Sequence, residues 1–123
     1  MKEPKIEAIE EIVIAVKDAD KEVRSELISG TQLQFIQATA PESVVAKFIK
    51  AKGEGLNHFA FRVTNLKEMV KRLKKKGVKF IPDEVIETSL ADKNMPIEGE
   101  KAEFIFIHPS SAYGVLIELV EGK

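Results

Sequence analysis

Four side chains spread along a chain of 123 residues have donor atoms suited to one divalent cation: Glu11, Gln34, His58 and Glu118. Each lies near the middle of an alternating apolar segment, on the side opposite that segment's apolar residues. In 57–63, Phe59, Phe61 and Val63 point one way and His58 and Ala60 the other. In 31–37, Leu33 and Phe35 oppose Gln32 and Gln34, and in 9–17, Ile12, Ile14 and Val16 oppose Glu11, Val13, Ala15 and Lys17. Imidazole, carboxylate and amide oxygens suit a borderline or hard ion such as Mn²⁺, Co²⁺, Zn²⁺ or Mg²⁺. Such an ion acts as a Lewis acid. Taken singly, each residue also has a plainer role. An outward glutamate on a strand is usually solvated, and a lone strand histidine is usually a hydrogen-bonded structural one. Spacing does not choose between these readings, because the four residues come from distant segments.

The elements that would position them form an imperfect repeat. Residues 11–30 laid over 58–77 without a gap run strand, polar turn, amphipathic helix, terminal glycine in both copies. Val16 meets Val63, Val23 meets Val70, Gly30 meets Gly77, and Glu11 meets His58. Internal repetition outranks local signals in assigning architecture. After Gly77, residues 78–113 precede Gly114 and the final strand, whereas the strand TQLQFIQ follows Gly30 at once. The first copy is therefore expected to lack about two strands that the second keeps.

The chain predicts a strand over 9–17, a helix over 18–28 with Asp18 as cap, and a strand over 31–37. A helix over 39–51 is expected to open with a Thr39–Glu42 capping box and Pro41 in its first turn. A strand over 57–63 and a helix over 65–76 follow, the helix carrying Leu66, Met69, Val70 and Leu73 at helical spacing. A short strand over 78–81 stops before Pro82, residues 83–101 read as a long irregular loop, and strands are expected over 102–108 and 115–120 around the turn PSSAYG. The expected class is α+β, a single domain over 1–123. It divides into a shortened first module (about 5–38), a linking helix (40–52) and a second module (56–121).

Composition narrows the partners. A net charge of −1 argues against general nucleic-acid binding, and the run Lys74, Lys75, Lys76 ends a predicted helix, where cations complement the helix dipole. The absence of cysteine removes disulfides and thiolate chemistry. No run approaches the ~20 apolar residues of a membrane span, and MKEPKIEAIEE is too charged for a signal peptide. A cytoplasmic location, with neither membrane nor nucleic acid as partner, is expected.

GEGLNHFAFRV (53–63), LKKKGVKFI (73–81) and HPSSAYGVLIELVE (108–121) resemble the methylmalonyl-CoA epimerases of the vicinal-oxygen-chelate, or glyoxalase-like, superfamily. TQLQFIQATAPESVVAKFIKAKGEG (31–55) resembles that family's stretch from its fourth strand through the inter-module helix, and IEEIVIAVKD (9–18) its opening strand. The resemblance implies paired βαβββ modules curled around a divalent metal. His58 matches the family's histidine on the first strand of module two, Glu118 its glutamate on the last strand, and Gln34 a position held by Gln or Glu. Glu11 stands where the family has a ligand histidine, Asn57 where a histidine commonly precedes the ligand, and Tyr113 where a glycine precedes the last strand. The family's second catalytic glutamate falls in the stretch the first module lacks. Glu118 is then expected to be one acid/base, with Glu11 or a partner-subunit residue standing in for the other.

The implied activity is metal-assisted 1,1-proton transfer alpha to the thioester carbonyl of an acyl-CoA. The alternatives are a non-catalytic small-molecule-binding or regulatory protein of the same fold and a glyoxalase-type isomerase. An incomplete first module would expose a sheet edge, so a homodimer is expected, with exchanged strands one way of completing the sheets. His108 is read as a structural turn residue, Ser110 and Ser111 as a plain turn, and Arg62 or Lys17 as a partner for a substrate carboxylate.

Overall fold

A computed structural model describes residues 3–18, 25–28, 30–89 and 99–123. Alternating segments pair into one mixed sheet: β1 (Lys5–Ala15), β2 (Ser25–Ile28), β3 (Thr31–Ile36), β4 (Gly55–Thr64), β5 (Phe80–Ser89), β6 (Lys101–Ile107) and β7 (Leu116–Gly122). The spatial order is β2-β3-β1-β4-β7-β6-β5. β1 and β4 run antiparallel at the centre, and each has a parallel neighbour, β3 for β1 and β7 for β4. Helix α1 (Val44–Lys52) links the halves, and α2 (Leu66–Lys75) follows β4. None of the described helices is long and apolar enough to cross a membrane.

α2 packs its apolar stripe on one sheet face. Leu66 and Val70 join Val63, Phe80, Ile105 and Leu119 in a buried cluster, with Met69 and Leu73 at its border. Burying a side chain such as Leu66 is worth roughly 1.5–3 kcal/mol. The helix starts where Asn65 adopts φ 51°, and the Glu121 carboxylate of β7 accepts the backbone N–H groups of Asn65 and Leu66, both at 2.9 Å. An anion at a helix N-terminus satisfies orphan donors and complements the dipole. On the same sheet face, Glu103 is buried between Lys67 (3.2 Å) and Lys123 (2.8 Å). Burial alone would raise its carboxyl, but the hydrogen bonds and charges of Lys123 and Lys67 outweigh it and hold Glu103 below the usual glutamate range.

Several expectations change. The helix expected over 18–28 is not continuous: Ser25–Ile28 is a strand, while residues 19–24 lie outside the described residues. Ile28 pairs with Thr31, so Gly30 (φ 85°) serves a hairpin turn rather than a helix stop. The described part of the first half thus holds β1, β2 and β3, one strand fewer than the second half's β4, β5, β6 and β7. The linking helix begins at Val44 rather than after Thr39: Ser43, not Thr39, caps it, accepting Ala46 N–H at 3.1 Å, and the preceding residues form a turn closed by Ser43 N–H to Ala40 O. β5 also runs through Pro82 to Ser89 instead of stopping at Ile81. It is an edge strand with a register break between Ile81 and Ile86, the setting in which proline is tolerated. The stretch expected to be an irregular loop therefore begins as strand, and its residues 90–98 lie outside the described residues.

Candidate metal centre

The face opposite α2 collects the polar residues. Strand register sets Glu11 beside Ala60 and Ala60 beside Glu118, so all three share a face. His58, two residues before Ala60, joins them. His58 Nε2 lies 3.8 Å from Glu11 Oε1 and 3.8 Å from Glu118 Oε1. One donor atom from each of the three residues falls within 4.8 Å of the others. Metal–ligand bonds of about 2.0–2.2 Å set neighbouring donors roughly 3–4 Å apart, so these separations fit one ion. Both carboxylates are buried, Glu11 at 5% and Glu118 at 1% exposure, a setting in which negative charge calls for a cation or firm hydrogen bonding.

Gln34 belongs to this face by symmetry of register. Glu118 lies beside Ala60, two residues along from His58, and Gln34 lies beside Val13, two residues along from Glu11. The halves therefore offer matched pairs, Glu11 with Gln34 and His58 with Glu118, across the central β1–β4 ladder, where Val13 pairs with His58. All four residues singled out from the sequence fall on one face.

The imidazole is oriented from behind. His58 Nδ1 is 2.8 Å from Asn57 Oδ1, which favours the tautomer with the proton on Nδ1 and the Nε2 lone pair toward the carboxylates. Phe106 packs edge-on against the ring, with centroids 5.8 Å apart. Asn57 thus supplies a carbonyl oxygen behind the imidazole where the resemblance had a histidine. Beyond it, a groove of about 260 Å³ between α1 and the starts of β4 and β7 is walled by Val44, Phe48, Leu56 and Leu116, with Lys52 at its lining.

The remaining candidates divide. His108 accepts Ser110 N–H at 3.0 Å and caps a short 3₁₀ turn, while Ser111 Oγ accepts Lys79 N–H at 2.9 Å, so both serve the turn. Lys74 lies 3.6 Å from both Asp83 and Glu84, which places its charge in local ion pairs. Arg62 is engaged by Glu10, a residue the alternation did not single out. A register break between Ile9 and Glu11 marks a β-bulge, and Glu10 there is fully buried. The doubled Glu10–Glu11 in β1, facing the single arginine of β4, was the available signal.

Residues 13–97 match the model of the glyoxalase/bleomycin resistance protein/dioxygenase superfamily. The chain belongs to this superfamily. Among curated proteins it is 29% identical over 93 residues to human mitochondrial methylmalonyl-CoA epimerase, matching 75% of this chain and 47% of that protein. It is 32% identical over 95 residues to the uncharacterized protein YqjC of Bacillus subtilis, matching 76% of this chain and 60% of that protein. The chain thus spans about half the length of the curated relatives it matches. The crystal structure of methylmalonyl-CoA epimerase from Mycobacterium tuberculosis superposes with a TM-score of 0.72 at 27% identity, over 96% of this chain and 89% of that one. The glyoxalase-type sheet explains why residues from four distant segments share one face: β1, β3, β4 and β7 are neighbours at its centre.

Proposed function

We propose that this chain is a metal-dependent epimerase-type isomerase that moves a proton at the carbon alpha to the thioester carbonyl of an acyl-CoA. The observation carrying this reading is the Glu11–His58–Glu118 cluster within 4.8 Å, both carboxylates buried, in a superfamily member similar to methylmalonyl-CoA epimerases. Glu11, His58, Glu118 and Gln34 would hold the ion, whose chemistry when bound is Lewis-acid polarisation of the carbonyl. Asn57 holds the imidazole in the ligating tautomer. Glu118 removes the proton and Glu11, whose Oε1 is likewise 3.8 Å from His58 Nε2, returns it. Burial of both carboxylates excludes bulk water from the exchange. The apolar groove beyond Asn57 takes the pantetheine arm, with Lys52 placed for a phosphate. Two sheet edges, β2 and β5, and exposed Ile6 and Ile9 support a homodimer. A light-scattering mass of one chain at micromolar concentration would defeat that part.

The test is deuterium incorporation at C2 of methylmalonyl-CoA in D₂O, followed by NMR with and without added Co²⁺ or Mn²⁺. Ion-dependent exchange that yields both epimers and is lost in Glu118→Gln is the expected result. Exchange without inversion would leave one working base. Ion binding without exchange would favour the second reading, a binding protein of the same fold.

A further inference from the structure

α2 lies across the sheet from the Glu11–His58–Glu118 cluster and carries a ridge of lysines. Lys67, Lys71 and Lys75 recur at four-residue intervals, with Lys74 beside them. Together with Val70, Glu84 and Val85 they line a groove of about 430 Å³ between α2 and β5. A large bulge builds the wall facing the helix. Ile81 pairs with Phe106 and Ile86 with Phe104, so residues 82–85 stand against Ile105 alone. Lys74 ties that wall to the helix: it donates to Asp83 O and lies 3.6 Å from both the Asp83 and Glu84 carboxylates.

The ridge is unfavourable for the helix by itself. Lys74 and Lys75 complement the dipole in the last turn, but Lys67 sits in the first turn, where the dipole opposes it. Lysines four residues apart also repel one another. Glu103 lies 3.2 Å from Lys67, yet it also holds Lys123 at 2.8 Å, so one carboxylate answers two cations. Lys71 and Lys75 have no ion-pair partner among the described residues. A local cost with no compensation inside the fold marks a surface that serves another purpose. We infer that this groove docks an extended acidic segment of a partner protein, with carboxylates at alternate positions. Spacing selects that partner: successive ridge lysines lie about 6 Å apart along the helix axis, and alternate residues of an extended chain advance roughly 6.6 Å on one side. Val70 and Val85 add an apolar floor that suits glutamate stems. No aromatic side chain lines the groove among the described residues, so it has no platform for a stacked base. This docking site is separate from the metal centre and stands without the acyl-CoA reading.

Fluorescence anisotropy of the full chain with two labelled octapeptides at fixed ionic strength tests it. One alternates Glu and Thr; the other has the same composition with its glutamates in one block. The alternating peptide is expected to bind at least about fivefold more tightly, because the two differ in spacing and not in charge. Lys71→Ala/Lys75→Ala should weaken it about tenfold, whereas Lys50→Ala, on α1, should change it less than about twofold. Lys71→Ala should leave Tm unchanged or raise it, since it relieves like-charge repulsion in the helix. Equal binding of the two peptides, or of neither, overturns the assignment, as does an equal loss in Lys50→Ala. Tripolyphosphate or oligothymidylate that binds more tightly than the alternating peptide overturns it in favour of a general anion surface. A lower Tm in Lys71→Ala overturns it by making the ridge structural.

Discussion

β4 and β7 set His58 and Glu118 on the ligand face, and β1 and β3 set Glu11 and Gln34 there with the same two-residue offset. Behind that face the halves differ. In the second half, Val63, Ile105 and Leu119 are sealed under Leu66 and Val70 of α2. In the first, Ile12, Ile14, Leu33 and Phe35 are only half-buried, and Ile6 and Ile9 stand 57% and 42% exposed. One polar face can thus draw side chains from both halves although the two halves are unequally buried behind it. Glu11 is placed by the pairing of β1 with β4, and Gln34 by the pairing of β3 with β1, so ion binding and order in the first half are expected to be coupled.

The sharpest break of this comparison is in the core. Leu66→Ala should cost about 2–5 kcal/mol in urea unfolding, and Ile12→Ala well under half as much. Equal costs would mean the first half is as firmly packed as the second. Next is hydrogen exchange: without ion, amides of β1 and β3 should open more readily than those of β6 and β7. Saturating Co²⁺ at about 100 times Kd should narrow the gap by up to ~2.7 kcal/mol. Unchanged β1 protection would sever ion binding from first-half order. Smaller again is Asn57→Ala, which should weaken Co²⁺ binding about 10-fold by freeing the imidazole tautomer, in titration calorimetry at fixed pH. No change would remove Asn57 from the site.

The smallest effect lies in the second half alone. Glu103 is held below its unfolded value, so its contribution is present above that value, near 4.5, and is lost as pH falls through the lower folded one. Lys123 is held above 10.5, chiefly by its hydrogen bond to Glu103, so its share is present below that value and fades as pH rises through the higher folded one. Glu103→Gln should flatten the acid-side slope of urea midpoints measured between pH 3 and 6. An identical slope would show that the Lys67–Glu103–Lys123 group does not titrate with folding.

The ligand face was legible because side chains alternate strictly along strands, so His58 against Phe59 and Phe61 already fixed a side. α2 was legible from Leu66, Met69, Val70 and Leu73. Glu10 was hard to read because a bulge breaks the alternation locally, and the doubled glutamate of IEEIV does not by itself say that both carboxylates are buried. The strand at Ser25–Ile28 was hidden because a glycine after a polar stretch ends helices and turns hairpins alike, and only pairing with β3 decides. Pro82 stopped the expected strand too early because its tolerance depends on lying at an edge, which is a property of the whole sheet.

β7 carries Glu118 to the ligand face and, three residues on, Glu121 to the start of α2. An odd separation on a strand sends the two carboxylates to opposite sides. The Glu121 cap therefore acts as a register key. A slip of β7 by one residue would swing Glu118 into the apolar core and withdraw Glu121 from the helix start together, so the error carries two penalties and cannot be hidden. Insertions in 118–121 are for the same reason the changes this chain should tolerate least.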